Sequence, residues 1–89
     1  MPTHIDIMYD ETELASTRFV GFVGDHGRFD LAIITTNNFF GKKIVHCLQT
    51  GRSAILNAEE AEQADYIQST FQVSEQEADE LSSFLSANL

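Results

Sequence analysis

The stretch Arg18-Phe-Val-Gly-Phe-Val-Gly-Asp-His-Gly-Arg-Phe-Asp-Leu-Ala-Ile-Ile-Thr-Thr36 decides the fold. Two runs rich in β-branched and aromatic residues flank Gly24-Asp-His-Gly27, four residues suited to a hairpin loop. The first run covers 18–23. The second covers 29–36, with Phe29, Leu31 and Ile33 on one face and Ala32 and Ile34 on the other, because successive strand side chains alternate. Asn37-Asn38 then turns the chain into a third strand at about 43–49, and Thr50-Gly51 joins it to a fourth at 52–56. A two-residue loop there uses the positive φ that Gly51 tolerates. It sets Gln49 opposite Arg52, Cys47 opposite Ala54 and His46 opposite Ile55. One face of this hairpin carries Ile44, His46, Leu48 and Ile55, and the other Val45, Cys47, Ala54 and Leu56. Both faces are apolar, whereas a sheet with one wet face alternates apolar with polar. We therefore expect the sheet to be covered twice, by C-terminal helices on one side and by a second subunit or the N-terminal segment on the other. That is the sequence argument for a homodimer.

After Leu56 the hydrophobic period lengthens. Asn57-Ala-Glu-Glu60 sets a capping residue three positions before an acid, and Ser74-Glu-Gln-Glu77 has the form of a capping box. These predict one helix at about 58–71, with Ala61, Ala64, Ile67 and Phe71 on its apolar stripe. A second is expected at about 75–87, with Ala78, Leu81, Phe84 and Leu85. Residues 5–9 carry Ile5, Ile7 and Tyr9 on one face and suit a fifth strand, while 10–15 read as a loop or helical turn. The expectation is a single α+β domain over 1–89: an N-terminal segment at 1–17, an antiparallel sheet of four to five strands in a meander at 18–57, and two acidic helices packed on it at 58–89.

Charge follows the same division. Arg18, Arg28, Lys42, Lys43 and Arg52 are the only cations, and against Asp25 and Asp30 they leave residues 14–57 at +3. The first 13 residues carry −4 and residues 58–89 carry −8, for a net −9. Such an acidic protein is repelled by nucleic acid and anionic membranes at long range, although a local patch can still bind. With 43% apolar residues the 89-residue chain is too hydrophobic to be disordered. One cysteine excludes an internal disulfide and suits a reducing compartment. The first residues lack the basic and apolar regions of a secretory signal, and no apolar run approaches the roughly 20 residues of a membrane span. A cytoplasmic protein without membrane contact is expected.

Few residues invite chemistry. His4, His26 and His46 are scattered and Cys47 has no partner at ligand spacing, so no metal is expected. His46 and Cys47 are neighbours in a strand, point to opposite faces and cannot pair as base and nucleophile. Asp25 and His26 suit a solvent-facing turn. Gly21, Gly24 and Gly27 match no phosphate-binding spacing, and no cofactor is expected. Asn37-Asn-Phe-Phe-Gly-Lys-Lys43 is more informative, because exposed rings beside cations can stack on bases while neutralising phosphates. A plainer reading buries one Phe and uses the lysines to guard an edge strand.

Phe19-Val-Gly-Phe-Val-Gly24, Arg28-Phe-Asp-Leu31, Phe40-Gly-Lys42, Leu48-Gln-Thr-Gly-Arg52 and Glu77-Ala-Asp-Glu-Leu81 with Phe84-Leu85 resemble a family of short uncharacterised proteins of Bacillota, catalogued as a domain of unknown function. The resemblance implies a cytosolic bacterial protein and brings no catalytic residues. The expected function is a non-enzymatic binding or regulatory module, with Arg18, Arg28, Phe39, Phe40, Lys42, Lys43 and Arg52 as its contact surface. Its partner is an acidic protein, a nucleotide or single-stranded nucleic acid. The alternative is an enzyme or ligand site at the dimer seam near His26 or His46.

Overall fold

In the computed structural model, which describes residues 3–89, four antiparallel strands form one sheet in the order β1-β2-β3-β4. They are β1 (Ser16–Val23), β2 (Arg28–Thr35), β3 (Lys43–Cys47) and β4 (Ser53–Leu56). Three helices follow, α1 (Ala58–Ala61), α2 (Ala64–Phe71) and α3 (Glu75–Asn88). The expected α+β meander with C-terminal helices is what forms. Among the described residues no helix is long and apolar enough to cross a membrane.

The core lies between one sheet face and the helices. Phe29, Leu31, Val45, Cys47, Ala54 and Leu56 meet Ala61, Ile67, Phe71, Ala78, Leu81 and Leu85, all buried. At the β1–β2 end Phe22 stacks on Phe84 with centroids 4.4 Å apart, and contacts Phe29 at 5.3 Å. The hairpin loop docks on α3: the Glu80 carboxylate accepts from the His26 amide at 3.1 Å. Gly24 is required for this approach, since a Cβ there would collide with the Glu80 carboxylate.

Three expectations are corrected. The β3–β4 loop has four residues, not two: Val45 faces Ala54, His46 faces Ser53 and Ile44 faces Ile55, and the Cys47 amide donates to the Arg52 carbonyl at 2.8 Å. The cause is Gln49, which turns back to β2, accepting from the Asp30 amide at 2.9 Å and donating to its carboxylate at 2.7 Å. Gly51 still has the positive φ expected of it, +73°. The register moves by two residues, and a two-residue shift leaves every side chain on its face. The core face was therefore assigned correctly from the wrong loop.

The helix expected at 58–71 is two. Gln63 leaves helical geometry (φ −90°, ψ 92°). In an unbroken helix Ala61 and Ile67 would lie about 120° apart around the axis; the break lets both reach the core. It also directs the Ala61 carbonyl inward, where the buried Ser82 hydroxyl donates to it. Finally, residues 5–9 pair with no strand, so the sheet has four strands, not five. The segment runs outward and exposed, and the radius of gyration is 15.4 Å against about 12 Å for a compact chain of this length. Met1 and Pro2, which open the expected N-terminal segment, lie outside the described residues.

Both capping boxes form reciprocally, Asn57 with Glu60 and Ser74 with Glu77. Gln72 ends α2 in the left-handed region (φ 55°), where glycine is favoured. Gln72→Gly should therefore raise stability by about 1 kcal/mol. Phe71→Ala should cost about 3–5 kcal/mol, a large share of the roughly 4–13 kcal/mol available to 89 residues. Urea denaturation of the two variants checks both signs.

Candidate binding surface at the aromatic turn

The sheet's second face carries no helix. Its rows are Thr17–Ile34–Ile44–Ile55 and Phe19–Ala32–His46–Ser53. Ala32 is buried between its neighbours, but Phe19 is 77% exposed and Ile55 41%. Val23 and Leu48 are also exposed.

At one end of this face, residues 39–41 form a single left-handed turn. Phe39, Phe40 and Gly41 have φ of 62°, 53° and 84°, and the Lys42 amide closes the turn on the Phe39 carbonyl at 3.1 Å. Non-glycine residues in this region cost about 1–2 kcal/mol each. Neither ring enters the core: Phe39 is partly exposed and Phe40 fully so. With Tyr9, Lys42 and Ile55 they line an open concavity of about 660 Å³.

The expected contact residues do not all converge there. Phe39, Phe40 and Lys42 share the concavity, and Lys43 begins β3 beside it, half-buried. Lys42 is engaged, its ammonium 3.1 Å from the Glu60 carboxylate that also accepts from the Asn57 amide. It is thus tied to a capping box instead of guarding an edge. Arg28 lies six residues along β2 from Ile34, the partner of Ile44, so it is about 20 Å from the lysines; it faces Asp30 at 3.5 Å. Arg18 is on the helix side of β1 and donates to Asn88 at 3.1 Å. Arg52 is at the far end of β4. The five cations form no single patch.

The histidines also separate. His26 Nδ1 lies 3.7 Å from Glu80, in a docked loop without a nucleophile. His46 Nδ1 is 2.5 Å from the Ser53 hydroxyl on the open face. That pair escaped the sequence reading because the two-residue loop placed Ile55 opposite His46. Among the described residues no carboxylate hydrogen-bonds the His46 ring, so the orienting group of a catalytic triad is missing. Cys47 is buried on the core face, away from His46. No group of three or more His, Cys, Asp or Glu among the described residues is arranged to hold a metal ion.

Glu13 fastens the N-terminal segment beside the turn: Thr36 and the Asn38 side chain donate to its carboxylate, as does the Asn37 amide at 3.3 Å. The Thr36 hydroxyl does most to hold the Glu13 carboxyl below the ordinary 4.5, outweighing partial desolvation. Lys42 does the same for Glu60, with the Asn57 amide adding to it. A carboxyl lowered by folding stabilises the fold fully above its unfolded pKa and loses that contribution as pH falls through the folded value. Both contacts should therefore contribute fully above about pH 4.5 and be released only as pH falls through the lowered folded values. Carboxyl chemical shifts recorded against pH should show Glu13 and Glu60 each titrating below 4.5.

The chain matches no curated protein. The SAV0927-like family model matches residues 8–87, which include the four strands, α1, α2, the aromatic turn and all but the last residue of α3, and the chain belongs to the SAV0927-like family.

Proposed function

We propose that the protein is a non-enzymatic binding module of the bacterial cytoplasm, acting as a homodimer, that holds an acidic protein segment at the turn of residues 39–42. Phe40 carries this reading: a fully exposed ring on a left-handed backbone costs the isolated fold stability and returns no packing. Such local strain concentrates at contact sites. Phe39 and Phe40 supply an apolar seat, and Lys42 supplies positive charge at its rim. A nucleotide or single-stranded nucleic acid needs cations spaced along a track of phosphates. With Arg28 about 20 Å from the lysines the cations form no such track, and an acidic protein segment that needs one cation beside an apolar seat is the better fit. The dimer is supported by the bare apolar face, because a small domain gains most from burying such surface in a partner.

The His46–Ser53 contact favours a second reading, a serine nucleophile on the open face. A fluorophosphonate probe decides it: labelling of Ser53 that is lost in His46→Ala would replace the binding-module reading with an enzymatic one.

The leading reading is tested by amide chemical-shift mapping with two probes, an Asp/Glu-rich peptide carrying one Leu and a short oligothymidylate. The peptide should shift residues 39–43. Phe40→Asn, whose side chain tolerates left-handed φ, should abolish those shifts while raising stability by about 1 kcal/mol. A response to the oligothymidylate alone would contradict the acidic-protein partner.

A further inference from the structure

We propose that residues 5–9 of one copy lie across the open sheet face of a second copy, and reciprocally, so that each subunit's N-terminal arm completes the other's sandwich. The inference takes its stoichiometry from the dimer reading above and adds the segment that makes the contact.

Four observations converge on this occupant. The arm is extended and belongs to no sheet, yet it carries Ile5, Ile7, Met8 and Tyr9, each more than 70% exposed. Its alternation, with Ile5, Ile7 and Tyr9 against Asp6, suits a strand with one buried face. The open face offers a matching apolar surface in Phe19, Ile34, Ile44 and Ile55. The third observation is the arm's root. Glu13 is hydrogen-bonded to residues 36–38 at the end of the Thr17–Ile34–Ile44–Ile55 row. From there the arm passes the aromatic turn, where Tyr9 lines the concavity, and Ile5, Ile7 and Met8 beyond it stay exposed in a molecule 52 Å long but only 21 Å thick. Ile5, Ile7 and Met8 are thus left without packing in their own copy.

Charge is the fourth. The first 13 residues carry −4 and residues 14–57, which contain the sheet, carry +3. The acidic arm is thus repelled less by a second copy's sheet side than by its helices, which belong to a segment at −8. The two-fold arrangement is closed, since each subunit gives one arm and receives one. A stable dimer buries about 800 Å² per partner, and aromatic side chains such as Tyr9 and Phe19 bury about 150–250 Å² each, so these two rings supply roughly half of that area and Ile5, Ile7, Met8 and Ile55 add to it.

The test uses the full chain. An equimolar mixture of methyl-labelled and unlabelled protein, with isotope-filtered NOEs, reports contacts between copies. Ile5 and Ile7 of one copy should contact Phe19, Ile34, Ile44 or Ile55 of the other, in a particle near twice the 9.9 kDa chain mass. The exposed pair Ile5→Asp/Ile7→Asp leaves the core untouched and should weaken dimerisation at least about a thousandfold. A dimer that persists in this variant, or that lacks arm-to-face NOEs, overturns the arm exchange and leaves the dimer standing. Arm-to-face NOEs confined to a single copy overturn it in favour of intramolecular closure. A mass near 9.9 kDa at NMR concentration overturns both.

Discussion

One sheet face is sealed by a single layer of helices, and every other feature of the molecule answers to that asymmetry. Phe29, Leu31, Val45, Cys47 and Leu56 are buried almost completely against Ile67, Phe71, Leu81 and Leu85. At about 25 cal/mol per Å² of apolar surface removed from water, this layer is the main source of stability. The helices are too few to clad both sides. The second face keeps Phe19 and Ile55 exposed.

The polar contacts serve the same packing. Glu80 holds the β1–β2 loop against α3, Ser82 satisfies the carbonyl at the α1–α2 break, and Glu60 joins a capping box to Lys42. Through Lys42 the aromatic turn is fastened to the first helix of the covering layer. The ion pair thus links the turn to the covering layer. Glu13 fixes the base of the arm near the same place, so turn, arm and bare face adjoin one another.

Much of this was legible in the sequence, for identifiable reasons. The period-two runs gave the strands, and the alternation of Phe29, Leu31 and Ile33 gave the core face. Asn57–Glu60 and Ser74–Glu77 announced two helix starts because capping boxes are local chemistry. What escaped depends on contacts distant in sequence. The pull of Asp30 on Gln49 widened a loop that Thr50-Gly51 made look short. The division at Gln63 follows from the demand that Ala61 and Ile67 both be buried, which no local signal states. The dispersal of the five cations reflects strand order, since Arg28 and Lys43 lie at opposite ends of the sheet although both belong to the basic middle of the chain. The exposure of Phe40 is the subtlest case: two adjacent aromatics before a glycine suggest one inward ring, and the left-handed turn turns both outward.

The central claim is that the helix-free sheet face is an association surface and not a solvated one. A soluble paramagnetic agent, added while the methyl groups of Ile34, Ile44 and Ile55 and the ring of Phe19 are observed, measures this directly. The account predicts that these signals are shielded at high protein concentration and become broadened by the agent on dilution, while Leu81 and Leu85 stay shielded throughout. Full broadening of the face at every concentration would contradict it.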